Sequence, residues 1–265
     1  MAAIGIPVLI WGDRYYIFFA FAGILTALAA YEFRKMLKLG GKPGIIDNVI
    51  TILFTLGVYA AAFFALVNSA NLIWFVIAVL VTAMAFLVMY LFMDSLNSRD
   101  LGEMLLTVSY VAFGFASMAY LRQTGLWLVS YALLCAILTD TFAFLFGIRF
   151  GRHRLAEKIS PKKSVEGAVA GLVLGGGLAA LFAYLLKVFT FSFWIVLPFS
   201  FLLSAAAQIG DLIASKFKRN HDIKDFSNLI PGHGGILDRF DSWIFTSFFL
   251  TVVLLVLTAF NVVAI

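Results

Sequence analysis

Seven stretches of this chain, at 15–31, 48–93, 104–121, 123–139, 167–186, 192–210 and 242–265, contain no Asp, Glu, Lys or Arg. Each approaches or exceeds the ~18 apolar residues that a helix needs to cross a hydrocarbon core. The runs are continuous and lack the in-out alternation of barrel strands, so they predict helices. The run at 48–93 must hold two crossings, and its polar interruption, Asn68-Ser69-Ala70-Asn71, predicts the turn between them. Eight full helices follow, centred near residues 26, 56, 82, 112, 136, 176, 202 and 253. The expected fold class is an all-α, polytopic transmembrane helix bundle. Hydrophobic residues make up 63% of the chain and charged residues 12%, and the longest hydrophilic stretches reach only about 18 and 27 residues, which leaves no room for a soluble domain. Residues 1–265 therefore read as one integral-membrane domain, with N-terminal helices in 1–121 and catalytic helices and loops in 123–265.

The first twelve residues, MAAIGIPVLIWG, are apolar but too short to span. They also lack the basic n-region and small-residue cleavage site of a signal peptide. They count as a ninth, short element, truncated or re-entrant, with Pro7 where a helix can bend and Gly12-Asp13-Arg14 as its connection onward. The run LVLGGGLAA at 172–180 is expected to let neighbouring helices approach closely, and it lacks the Lys-Ser/Thr of a phosphate-binding loop. The single cysteine, Cys135, excludes an intramolecular disulfide and any multi-cysteine metal site, and it reads as a helix-packing residue.

Positive charge is retained in short cytoplasmic loops. Of the 19 lysines and arginines, 16 fall on one side of the expected bundle, and only Arg14, Arg122 and Lys187 fall on the other. That asymmetry predicts cytoplasmic charged loops and an outside C-terminus. The net charge of +5 then describes a cytosolic membrane face suited to anionic headgroups or phosphates, with no sign of a nucleic-acid partner.

Chemistry must come from polar groups on that cytosolic side. Four carboxylates are candidates for metal binding: Asp140 inside CAILTDTFAF, Asp211 in AQIGDLIAS, and Asp238 and Asp241 at the start of the last helix. Asp211 is expected to end its helix, with Gln208 and Ser215 on the same face. Asp238 and Asp241 share a face at i, i+3. A lone buried carboxylate protonates or destabilises its surroundings, so each needs a partner. One partner is a salt bridge, such as Asp238 with Arg239 or a loop lysine. The other is a divalent cation, and hard oxygen ligands favour Mg²⁺, completed by waters and substrate phosphates. Two such ions could stabilise the attacking and leaving oxygens of an in-line displacement.

The glycines of LIPGHGGILD permit backbone approaches that side chains would block. A helix begins just after them, and its first N–H groups can hold phosphate. Taken alone, this is also an ordinary Pro-Gly turn feeding a helix, and His233 by itself carries little.

The whole string SKFKRNHDIKDFSNLIPGHGGILDRFD, residues 215–241, is more specific. It resembles the signature of the phosphatidate cytidylyltransferase family, the CDP-diacylglycerol synthases. Every fixed position of that signature is present, as Ser215, Lys218, Arg219, Lys224, Asp225, Ser227, Ile230, Pro231, His233, Gly234, Gly235, Ile236, Asp238, Arg239, Phe240 and Asp241. DTFAFLFGIRFGRHRL and ISPKKSVEG resemble the family as well, although Ser164 and Val165 stand where it usually has Thr and Trp. Serine keeps the hydroxyl, whereas valine leaves no indole for stacking or anchoring.

The resemblance implies a CTP:phosphatidate cytidylyltransferase that makes CDP-diacylglycerol and pyrophosphate in phospholipid biosynthesis. It implies Mg²⁺ dependence, with two metal ions and a monovalent cation as a further candidate. It also implies a homodimer in a bacterial inner membrane. Asp211, Asp238 and Asp241 would hold metal, with Asp140 as another ligand or an orienter. Ser215, Lys218, Arg219, Lys224, Asp225, His233, Gly234, Gly235 and Arg239 would grip the phosphates of CTP or lipid, and Lys162, Lys163 and Ser164 would close over them. Two rivals stay open: a transporter of a phosphorylated anion, which intramembrane acids and basic loops also mark, and a CTP-dependent lipid kinase of the polyprenol type.

Overall fold

The computed structural model describes residues 7–10, 16–37, 45–93, 96–229 and 234–261. Among the described residues, eight helices are long and apolar enough to cross a membrane. They are α1 (Ile17–Leu37), α2 (Ile45–Val67), α3 (Leu72–Phe92), α4 (Ser98–Thr124), α5 (Leu126–Phe150), α6 (Val165–Leu185), α7 (Phe193–Asn220) and α8 (Leu237–Ala259). The expected turn in the long apolar run is a 3₁₀ turn at Ser69–Asn71, where the Asn68 side chain accepts from the Ala70 N–H at 3.0 Å. Residues 7–10 are helical, while Gly12-Asp13-Arg14 lies outside the described residues.

Several helices run beyond their charge-free segments. α4 takes in Arg99, Asp100 and Glu103, and α7 continues to Asn220. Asp211 therefore lies within α7, more than two turns before its end, which corrects the expectation that it terminates the helix. Arginine and lysine near a helix end extend their charged heads toward the interface, and Asp100 accepts from the Asn97 N–H at 2.9 Å, so absence of charge underestimates helix length.

The chain forms two compact units, residues 1–123 with 223–239, and residues 124–222 with 240–265. In the first, α1 buries Phe18, Ala22, Leu25, Ala29 and Phe33, spaced three and four apart on one helical face. Phe19 stacks on Tyr59 of α2 at 5.1 Å between centroids, and the Tyr59 hydroxyl donates to the Phe19 carbonyl at 2.7 Å. α4 is the most buried span, and α3 exposes most of its apolar surface, as a helix facing lipid does. Arg122, buried at the end of α4, donates to the carbonyls of Leu9 and Ile10 at 2.6 and 3.0 Å.

In the second unit, small residues do the packing. Gly167, Gly171 and Gly175 form a stripe along α6. A Cβ at Gly167 would meet the Ala143 carbonyl of α5 at 2.5 Å, and one at Gly175 would meet Thr139 Cα at 2.7 Å. Close backbone approach of this kind is what membrane helices use, because lipid offers no hydrophobic drive for helix association. The helix widens into a π turn at Gly171–Gly175 within this contact. Hydroxyls then join α5 to α7: Tyr131 with Ser200 and Thr139 with Ser204, each at 2.7 Å. Cys135 is buried between them, as its packing role requires.

The hydrophilic connection from α5 to α6 is more ordered than its sequence suggests. It forms an antiparallel hairpin, β1 (Arg154–Ala156) with β2 (Ser160–Ser164), pairing Arg154 with Ser164 and Ala156 with Ser160. This small sheet is an addition to the expected all-helical class. Strand β2 carries Lys162, Lys163 and Ser164.

Candidate active site

Three helices of the second unit each contribute one half-buried acid: Asp140 from α5, Asp211 from α7 and Asp241 from α8. Asp140 Oδ2 accepts from the Ser242 hydroxyl at 3.0 Å, and Asp241 Oδ1 accepts from the Ser242 backbone N–H at 2.7 Å. Ser242 thus joins α5 to α8 at the acids. The Ser215 hydroxyl donates to Asp211 Oδ1 at 3.3 Å, one turn along α7, as the i, i+4 spacing predicts. Asp211 acts electrostatically on both Asp140 and Asp241, and Lys218 acts on Asp241.

Gly210 explains how the acids of α7 and α8 come together. A Cβ at this position would meet Phe245 Cβ at 2.6 Å and the Asp241 carbonyl at 3.0 Å. The glycine directly before Asp211 lets the two backbones close up at the level of the carboxylates. Carboxylates this close in a medium of low dielectric disfavour one another's ionised forms, and a neighbouring cation offsets that. Lys163 of β2 forms an ion pair with Asp211 through its Oδ2.

The hairpin holds Lys163 in place through α6. Ser164 is the N-cap of α6 and accepts from the Gly167 N–H at 3.2 Å. Its hydroxyl therefore caps a helix, which is a structural use of the residue expected to close over phosphate. Glu166 accepts from the Arg152 and His153 backbone N–H groups at 3.0 and 3.2 Å, and meets His153 Nδ1 at 2.6 Å. Arg219 Nε donates to the Ile159 carbonyl in the hairpin at 3.2 Å. Lys162 is exposed.

The first unit carries the rest of the signature. Asp238 Oδ2 accepts from the backbone N–H groups of Phe226 at 2.8 Å and Gly235 at 2.9 Å. Gly234 has φ +78°, a conformation that glycine adopts at no steric cost, and a Cβ there would press on Asp238 at 3.0 Å. Glu32 of α1, fully buried, accepts from Ser227 Oγ at 2.6 Å and from the Ile236 and Leu237 N–H groups at 2.8 and 2.9 Å. A Cβ at Gly235 would strike this carboxylate at 2.6 Å. Lys224, Asp225 and Arg239 are exposed. Ile230, Pro231, Gly232 and His233 lie outside the described residues.

The structure thus brings Asp140, Lys163, Asp211, Ser215, Lys218 and Asp241 together in the second unit. It gives Asp238 two backbone donors, the amides of Phe226 and Gly235. Glu32, Glu166 and Ser242 escaped the sequence reading. For Glu32 the available signal was that it is the one acid in an otherwise basic helix end, YEFRKMLK.

These acids test whether Mg²⁺ fits. Among the described residues no group of three or more His, Cys, Asp or Glu side chains is disposed to hold a metal ion. Mg²⁺ needs no such cage, since it binds through one or two carboxylates and is completed by waters and substrate phosphates. The all-oxygen donor set, with serine hydroxyls between the acids, suits a hard cation.

Residues 1–257 match the Cytidylyltransferase family. The chain is similar to a phosphatidate cytidylyltransferase of Staphylococcus aureus (strain COL), with 35% identity over 255 residues covering 94% of each chain. It is similar to the proteins of that name from Staphylococcus haemolyticus (strain JCSC1435) and Staphylococcus epidermidis (strain ATCC 12228 / FDA PCI 1200), with 34% identity over 253 residues and 94% of each chain. With a match along nearly its whole length and an unbroken signature whose acids, glycines and lysines have defined places in the fold, this chain belongs to the cytidylyltransferase family.

Proposed function

We propose that this protein is a CTP:phosphatidate cytidylyltransferase of the bacterial inner membrane, with its charged loops cytoplasmic and its C-terminus outside. The observation that carries the activity is family membership over the whole chain, joined to a cluster of three acids beside two lysines at the polar end of a helix bundle. The side on which 16 of 19 basic residues fall supports the orientation.

In the reaction, a phosphate oxygen of phosphatidate attacks the α-phosphorus of CTP, a P–O bond forms, the bond to the β-phosphate breaks, and pyrophosphate leaves. The attacking monoester carries about −1.5 to −2 charge near neutral pH, so no general base is required. Both reactants are anions, and the residues' task is to hold them in line and offset their repulsion. Asp211 and Asp241, with Asp140 held beside them through Ser242, would hold Mg²⁺. Bound there, the ion would neutralise charge on the transferring phosphoryl group and its leaving oxygens. Asp238 shapes the signature segment through the Phe226 and Gly235 amides. Lys163 and Lys218 balance the acids and stand ready for the triphosphate, with Arg219 and Lys162 on the same polar face. The phosphatidate tails remain in hydrocarbon while its headgroup meets CTP at the interface.

The test is purified protein in detergent with CTP labelled at the α-phosphate, phosphatidate and Mg²⁺. Label passing into the lipid with release of pyrophosphate supports the proposal. A CTP-using kinase would release CDP and leave the lipid without label, and a transporter would consume no CTP.

Lys163→Met removes one cation from Asp211 and from incoming phosphate. Loss of one charge-assisted contact predicts a rise in KM for CTP of about tenfold. Steady-state kinetics at saturating phosphatidate would measure it, and an unchanged KM and kcat would remove Lys163 from the site.

A further inference from the structure

The first N–H groups of any helix lack intrahelical acceptors and need a partner from elsewhere. At the start of α8 that partner is Glu32, more than two hundred residues away in sequence. Its Oε1 accepts from Ile236 N–H and Ser227 Oγ, and its Oε2 accepts from Leu237 N–H. Every group bonded to this carboxylate is a donor, and the side chain is 1% exposed. Gly235 is the residue that lets it in, since any Cβ there would overlap both oxygens. A negative charge at a helix N-terminus is also favoured by the helix dipole.

We infer that Glu32 is a positioning residue for the cytidylyl-transfer reaction: from α1 it caps α8 and ties Ser227 to Ile236 and Leu237, which fixes where α8 begins. The inference rests on the function proposed above. Asp238 is in the first turn of α8 and Asp241 is the fifth residue of the helix, so a shift of its start moves both. Asp238 makes a second, parallel tie between the same segments through Phe226 and Gly235. Two carboxylates thus staple residues 226–227 to residues 235–237. A stapling acid acts on turnover through geometry and makes no contact with substrate, so its loss should lower kcat more than it raises KM.

Glu32→Gln isolates this role, because the amide keeps the size of the side chain. Its oxygen can still accept from Ser227 and Ile236, but its NH₂ then faces the Leu237 N–H, donor against donor. Expected is a fall in kcat of about 30-fold, with KM for CTP within about threefold of wild type. The Leu237 amide should lose protection from hydrogen exchange. Ser227→Ala, which removes one of the three bonds, should lower kcat by about threefold. Tyr59→Phe serves as the control for stability alone, since it removes a buried hydrogen bond of the same unit far from the signature. It should lower the melting temperature with kcat unchanged.

Wild-type kcat in folded Glu32→Gln overturns the inference, as does a loss of kcat in Tyr59→Phe matching that of Glu32→Gln. If Glu32→Gln yields no folded protein, Ser227→Ala decides, and an unchanged kcat there overturns it. Failure of the underlying function is separable: wild type without nucleotidyl transfer would reject that reading, and Leu237 exchange would still report on the cap.

Discussion

Asp241→Asn is expected to lower nucleotidyl transfer by on the order of 10³ while leaving the protein folded. The asparagine oxygen can still accept from the Ser242 N–H that Asp241 now holds at 2.7 Å, so the local backbone keeps its bond. What disappears is one of three mutually repelling carboxylates, and removing it relieves electrostatic strain among Asp140, Asp211 and Asp241. The melting temperature in detergent should therefore equal or exceed that of wild type even as activity collapses. Opposite signs for stability and turnover distinguish a functional acid from a structural one. Turnover of the purified variant and a thermal melt in the same buffer make the comparison. Activity within threefold of wild type would remove Asp241 from the proposed metal-holding residues, and a loss of folded protein would reassign it to structure.

Gly175→Leu is expected to abolish accumulation of folded protein. The first atom of any side chain at this position would lie 2.7 Å from both Thr139 Cα and Thr139 N, and 3.0 Å from the Leu138 carbonyl carbon. These are backbone atoms of α5, so no rotamer change can make room. α6 would have to move away, and the neighbouring bond between Thr139 and Ser204 at 2.7 Å would be strained with it. Gly175→Ala, the smallest such change, should cost roughly 1–3 kcal/mol by the usual penalty for overpacking. Gly177 is the internal control, because nothing lies within 4 Å of a Cβ built there. Gly177→Leu should leave the melting temperature unchanged. Size-exclusion profiles and melts of the three variants would check this, and a well-folded Gly175→Leu would refute the close packing of α5 on α6.

The two sets of variants divide the glycines of LVLGGGLAA in a way that composition cannot. The run suggested close approach, and Gly175 and Gly176 do meet neighbouring backbone, but Gly177 faces open space. A glycine's neighbours depend on which helix packs against it, and that is decided outside its own segment. The acids behave similarly. Asp140 and Asp211 stand out in sequence as charges within apolar helices, and Asp241 through the signature. That Asp140 shares Ser242 with Asp241 follows only from α5 packing on α8. Lys163 was one of six basic residues between Arg149 and Lys163, and the hairpin singles it out by turning it to Asp211.

The number of spans, the helical class, the turn at Asn68–Asn71 and the family are legible in the chain's order of residues, because transfer of an apolar segment into hydrocarbon is a local and nearly additive property and the signature is contiguous. Tertiary structure decided which charges meet: Glu32 with the start of α8, Lys163 with Asp211, and Asp140 with Ser242. Such pairings join residues far apart in sequence and depend on close approach of backbones. Glycines such as Gly210 within α7 and Gly235 just before α8 set that approach, and its geometry is not written in any one segment.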